Sequence, residues 1–263
     1  MRESWDRRIR RAEHLAAEGG PSTSLIGFYS HLLRGQKAIF ESLNGNRRKP
    51  SGFLERDLDL VMDGATTLLH EVVTHGSDRL AADARTWLDT SQPDFASRVL
   101  AHWRHPSEID FFPKAILQPY GQWLVEAAMQ PGDRDLAPAD NRCPFCGGKP
   151  QLSVLDATSD SMTTEGGGRS LLCATCLNAW KFPRVQCAHC GEADEHKLGY
   201  YRAAALAHLR VETCDTCNHY LKTVDLTQLG LAVPLVDEVA GAPLDLWAGE
   251  HGFRKIELNL VGL

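Results

Sequence analysis

Apolar residues in the first half of the chain recur at steps of three and four. In "STSLIGFYSHLLRGQKAIFESL", residues 22–43, Leu25, Phe28, Tyr29, Leu32, Leu33, Ile39, Phe40 and Leu43 fall on one helical face, and Ser22 or Ser24 is placed to cap the first turn. Similar patterns predict helices over 54–73, 78–88, 94–103 and 113–129, divided by Gly76, "TSQP" and "RHPSE". Residues 3–129 therefore read as five or six packed helices, with Trp87, Phe95, Trp103, Phe111, Phe112 and Trp123 as core rings.

The pattern then changes. "QPGDRDLAPADNR", residues 130–142, has linker composition. After it, "QLSVLDA", "LGYYRA" and "HLRVET" alternate or are rich in β-branched and aromatic residues, as hairpin strands are, and Gly166, Gly167 and Gly168 mark a loop tip. Beyond Asp225, Pro243 to Glu250 is helix-compatible and "KIELNL" alternates like a strand. The expected division is a helical domain over 1–138 with its linker at 130–142, one metal ribbon over 139–185, a second over 186–226, and a C-terminal segment, 227–263, docking on the ribbons or the helices.

At 263 residues two domains are the natural expectation. Hydrophobic residues at 43% and charged residues at 24% describe a folded, soluble protein. The N-terminal "MRESWDRRIRRAEHLAAEGG" carries Arg7-Arg8, but no apolar run follows them as in an export signal, and no run approaches a membrane span. A cytoplasmic location without stable membrane insertion is expected. The net charge of −6 argues against general affinity for nucleic acid.

All eight cysteines lie after the linker, in four C-x-x-C pairs: Cys143/Cys146, Cys173/Cys176, Cys187/Cys190 and Cys214/Cys217. Two intervening residues turn the backbone so that both sulfurs face one ion, with Gly147, Gly191 and Asn218 suited to the turn and Leu177 departing from it. In a reducing cytosol such pairs point to metal, not disulfides. A repeat decides which pairs meet: "CPFCGG" shifted by 44 residues lands on "CAHCGE", and "CATCLNAWK" shifted by 41 lands on "CDTCNHYLK". Each unit is then knuckle, loop of 26 or 23 residues, knuckle, so the first pair should face the second and the third the fourth.

The fold class is thus α+β: an N-terminal all-α helical domain followed by two tandem rubredoxin-like or zinc-ribbon units. Each unit would hold one metal ion, iron or zinc, through four cysteines, and the spacing does not separate the two metals. The ten residues between Cys176 and Cys187 read as a joint in which Trp180, Phe182 and Val185 pack the ribbons together. His189, His196, His208 and His219 read as surface residues beside complete cysteine sets, and His102 and His105 lack further ligands nearby. Asp156, Asp160 and Glu165, or Glu192, Asp194 and Glu195, read as solvating hairpin tips; no residue qualifies as a catalytic nucleophile or acid/base pair. Residues 139–225 carry nine Lys plus Arg against ten Asp plus Glu, the wrong balance for a nucleic-acid ribbon.

"CPFCGGKP", "SLLCATCLNAWKFPRVQCAHCG" and "VETCDTCNHYLKTVDL" together resemble the formate dehydrogenase accessory protein FdhE family, with Trp180, Arg184, Val185, Tyr220, Leu221 and Lys222 at matching places. "FYSHLLRGQ" looks like that family's helical segment and "VDEVAGAPLDLWAGEHGF" like its C-terminal piece. The resemblance implies a cytoplasmic assembly factor, not an enzyme, that binds the catalytic subunit of formate dehydrogenase or a related oxidoreductase and supports its maturation. It implies metal ligation by Cys143, Cys146, Cys173, Cys176, Cys187, Cys190, Cys214 and Cys217, and leaves a homodimer open. The competing readings are a rubredoxin-like electron carrier or redox switch acting on the same client, and, disfavoured by charge, a nucleic-acid-binding zinc ribbon.

Overall fold

The computed structural model describes residues 4–45, 48–107, 110–134, 136, 139–156 and 168–263. Asp160, Glu165, Gly166 and Gly167, expected at the tip of the first ribbon's loop, lie outside the described residues.

Six helices build the N-terminal part: α1 (Trp5–Glu18), α2 (Thr23–Gly45), α3 (Leu54–His75), α4 (Asp78–Leu88), α5 (Gln92–Arg104) and α6 (Phe111–Glu126). The predicted apolar face of α2 is its buried face, and Trp103, Phe95, Phe112 and Trp123 are core rings. Ser22 does not cap α2 through its side chain. Its hydroxyl donates to the Ala240 carbonyl, while its own carbonyl accepts the first helical N–H from Ile26.

Helix α6 is buried on every side from Phe112 to Leu124, as befits a helix enclosed between two layers. Pro119 inside it removes the hydrogen bond that Ala115 would accept. Gln36 repairs the loss: its Nε2 donates to the Ala115 carbonyl at 2.9 Å and reaches Gln118 Oε1 at 3.2 Å. The linker is tied back to the helices by Asp133, whose carboxylate accepts from Trp103 Nε1 and from the Leu54 backbone N–H.

The remaining chain forms one mixed sheet from β1 (Pro150–Asp156), β2 (Gly168–Cys173), β3 (Ala179–Lys181), β4 (Leu198–Tyr201), β5 (Leu209–Cys214), β6 (His219–Asp225) and β7 (Arg254–Lys255). The strand order is β3-β2-β1-β6-β5-β4, with β7 on β6. The antiparallel strands of each cysteine unit are therefore joined through a parallel pair, β1 with β6, in which Leu152 faces Lys222 and Val154 faces Val224. Ser153 and Thr223 share a buried hydroxyl–hydroxyl hydrogen bond across that seam.

Two C-terminal helices, α7 (Pro234–Ala240) and α8 (Ala242–Glu250), close the structure. Val233, Val236 and Val239 enter the helical core, whereas Ala232, Leu235, Leu244 and Ala248 cover the sheet, so this segment joins both layers. The strand expected for "KIELNL" stops at Lys255. Glu257 is drawn to Lys114 of α6 at 2.8 Å, and Asn259 Oδ1 accepts from the Val261 and Leu263 N–H groups, which bends the terminus into a turn. Among the described residues no helix is long and apolar enough to cross a membrane.

Candidate metal centres

Each C-x-x-C pair sits on the same backbone device. The residue after the second cysteine takes a left-handed φ in all four cases, +71° at Gly147, +57° at Leu177, +81° at Gly191 and +55° at Asn218. Its N–H then donates back to the carbonyl of the first cysteine, at 2.8, 3.2, 3.0 and 2.8 Å respectively. Leu177 thus adopts the conformation that its side chain disfavours, and its contacts with the sheet core offset that cost.

The knuckles meet in the order that the repeat predicted. Cys143 Sγ is 3.7 Å from Cys176 Sγ and Cys146 Sγ is 3.5 Å from Cys173 Sγ. In the second cluster Cys187 lies 3.7 Å from Cys217, and Cys190 lies 3.7 Å from Cys214. These separations are too long for disulfides, and all eight thiols are free. A tetrahedral ion with metal–sulfur bonds of about 2.3 Å requires sulfur–sulfur edges of about 3.8 Å. Both clusters fit that shape.

The first cluster is fully buried. Burial pushes the Cys173 and Cys176 thiols well up, while hydrogen bonds from Cys146, Cys173 and Cys176 hold the Cys143 thiol well down. Four thiolates could coexist there only around a cation. Backbone N–H groups help: Thr175 donates to Cys173 Sγ at 3.4 Å. Gly148 makes the necessary room, because a Cβ on it would stand 2.8 Å from Cys173 Sγ. Val125, Phe145 and Trp180 seal the cluster, and Gln118 of α6 donates to the Ala174 carbonyl at 2.9 Å. This cluster is one contact point between helices and sheet.

The second cluster is open. Cys190 is exposed and Cys217 half-buried, although burial still pushes the Cys187 thiol up to about 11. His189 and His219 stack beside it, with ring centroids 3.7 Å apart, and their nitrogens lie within 4.8 Å of Cys217 Sγ. They are therefore more than the surface residues that the sequence suggested. His196 is exposed, and His208 pairs with Asp237 at 3.0 Å. His102 is buried against Asp110 and His105 ends α5; neither joins a group of ligands among the described residues.

The joint between the clusters is only partly as expected. Phe182 is buried with Leu171, Ala188, Leu221 and Ile256, and Trp180 bridges this group to the first cluster, but Val185 is 47% exposed. Arg169 does the work assigned to Val185: its guanidinium donates to the carbonyls of Pro183 and Gln186 at 2.8 and 2.9 Å and pairs with Glu212 of β5.

Comparison with known proteins supplies the context. A family model described as "FdhE, C-terminal domain" matches residues 185–261. The Protein FdhE homolog of Aquifex aeolicus is 29% identical over 259 residues, covering 92% of this chain and 89% of that protein. The chain is similar to FdhE proteins over most of its length. The FdhE homolog of Haemophilus influenzae strain PittEE is 26% identical over 97% of this chain and 87% of its own length. The fold is shared with the crystal structure of the FdhE protein from Pseudomonas aeruginosa, at a TM-score of 0.70 and 23% identity over 99% and 97% of the two chains.

FdhE-like motifs that are far apart in sequence meet in one buried cluster. Lys222, from "YLK", is fully buried and pairs with Asp245 and, at 3.0 Å, with Glu238, both from "VDEVAGAPLDLW". Lys255 pairs with the same two carboxylates, and Tyr220 donates to Asp245 at 2.8 Å. The burial of Lys222 was not evident beforehand; its repeat partner Lys181 is exposed. The available signal was a lysine set among Tyr220, Leu221 and Val224 in a short strand.

Proposed function

We propose that this protein is a cytoplasmic accessory factor that binds the catalytic subunit of formate dehydrogenase, or of a related oxidoreductase, and supports its maturation. The observation that carries the reading is the pair of four-cysteine clusters with sulfur separations of 3.5–3.7 Å in a chain similar to FdhE proteins over most of its length. Cys143, Cys146, Cys173 and Cys176 would hold one ion, and Cys187, Cys190, Cys214 and Cys217 the other. Bound zinc would supply structural cross-linking, and bound iron could also supply one-electron redox chemistry.

The two ions have different work in this reading. The first anchors the sheet to α6 and belongs to the fold. The second, with Cys190 exposed and two histidines alongside, faces a client. Tagged protein expressed beside the formate dehydrogenase subunits should recover the catalytic subunit, and serine at Cys190 and Cys217 should reduce that recovery. Recovery of no catalytic subunit under cross-linking would refute the reading.

The open second cluster also favours a second reading, a rubredoxin-like electron carrier or redox switch acting on the same client. Metal analysis and a visible spectrum on anaerobically purified protein separate the two. Iron with ferric-thiolate absorption that bleaches reversibly on reduction supports the redox role; stoichiometric zinc with no such absorption removes it.

A further inference from the structure

Away from both cysteine clusters, two glycines fix how α2 and α3 meet. A Cβ on Gly35 would lie 2.6 Å from Leu68 Cα, and one on Gly64 would lie 2.4 Å from Ile39 Cα. The antiparallel helices are thus in backbone contact at two successive turns, a rigid arrangement that tolerates no sliding. One turn further along the same register, His31 of α2 stands opposite Glu71 of α3, and His75 follows Glu71 by four residues on the same face.

These three side chains converge. His31 Nδ1 is 3.0 Å from Glu71 Oε2, His75 Nε2 is 3.8 Å from the same oxygen, and the two imidazoles stack at 3.4 Å with 15° between their planes. Their ligand atoms all lie within 4.8 Å of one another, and each side chain is between a quarter and two-fifths exposed. Hydrogen bonding alone leaves His31 frustrated. Its Nδ1 faces the Glu71 carboxylate, which needs a donor, and Arg34 Nη1 at 3.1 Å, which needs an acceptor. One ring nitrogen cannot satisfy both. A metal cation in place of the guanidinium would take the Nδ1 lone pair and the carboxylate together.

We propose that His31, Glu71 and His75 form a third metal site, for a borderline divalent cation such as Zn2+, Co2+ or Ni2+. Two imidazoles and one carboxylate suit these ions, and three protein ligands leave a coordination position open to water. Arg34 is the opposing charge. It is already held by Glu13 at 2.5 Å and can retain that partner when it leaves His31.

Anaerobic calorimetric and spectroscopic titration of the full chain with Co2+ tests the site. Two equivalents should show thiolate-to-cobalt charge transfer, and a third should bind without it. His75→Ala and the near-isosteric Glu71→Gln should each abolish the third equivalent and leave both charge-transfer bands unchanged. Arg34→Gln should tighten the third equivalent by about tenfold, by removing a nearby positive charge. A titration without a third equivalent would overturn the proposal. So would a third equivalent that survives in His75→Ala or is lost in His189→Ala instead. Loss of the charge-transfer bands alone would count against the cysteine centres and not against this site.

Discussion

Gly121 of α6 and Cys176 of the first cluster meet backbone to backbone: a Cβ on the glycine would stand 2.8 Å from Cys176 Cα and 2.7 Å from the Thr175 carbonyl oxygen. Those are backbone atoms of a knuckle, so the added carbon cannot be accommodated by a side-chain rotation. Gly121→Ala should cost about 1–3 kcal/mol despite the better helix propensity of alanine. It should also speed metal loss from Cys143, Cys146, Cys173 and Cys176. Gly27→Ala in α2 is the control, since nothing lies within 4 Å of its Cβ position, and it should be neutral or stabilising. Thermal unfolding of the two variants, with metal counted by native mass spectrometry, makes the comparison.

The unequal burial of the two clusters sets an order of metal release. The first has four buried sulfurs behind Val125, Phe145 and Trp180, whereas the second exposes Cys190 and half exposes Cys217. A chelator should therefore empty the second cluster while the first remains filled. Alkylating reagent added during that interval should label Cys190 and Cys217 before Cys143, Cys146, Cys173 or Cys176. Peptide mapping at successive times shows the order, and simultaneous labelling of both groups would contradict it.

The buried cluster around Glu238 gives acid sensitivity a definite source. Burial opposes its charge, but the ammonium groups of Lys222 and Lys255 prevail and hold its carboxyl at about 2, against an ordinary value of 4.5. A depressed carboxylate stabilises the fold above the unfolded value and loses that contribution as pH falls towards the folded one, so the window runs from pH 4.5 down to 2. The shift corresponds to about 3 kcal/mol. Glu238→Gln, which leaves two buried lysines short of a carboxylate, should cost about 3–5 kcal/mol at neutral pH. The gap between wild type and variant should narrow through that window. Acid loss of metal affects both proteins alike, so the difference between their denaturation curves isolates Glu238.

What was legible in the sequence was local. Three-and-four periodicity located α2 to α6, and the expected range 78–88 is the one that α4 occupies, with Ser77 and Asp89 as its caps. The repeat of 44 and 41 residues paired the cysteines because each ribbon is a hairpin-sized unit. The parallel seam of β1 with β6 was not legible, because about 70 residues separate Leu152 from Lys222 and no turn chemistry marks a parallel join. Helix α7, at seven residues, is too short for its period to show. Gly121 carries no local signal, since its reason for being there is a partner in another layer.

Arg169 holds the joint that separates the two clusters, and its removal should expose that joint. Its guanidinium satisfies the Pro183 and Gln186 carbonyls and pairs with Glu212, which Arg210 also reaches at 2.5 Å. Arg169→Ala should therefore cost about 3 kcal/mol, less than a wholly orphaned carboxylate would, because Arg210 still serves Glu212. Lys181 and Arg184 are exposed within the joint, so trypsin should cut there faster in the variant. Arg169→Lys should recover less than half of the lost stability, because one ammonium cannot span two carbonyls and a carboxylate as the guanidinium fork does. Full recovery with lysine would mean that charge alone matters and that the carbonyl contacts do not fix the joint.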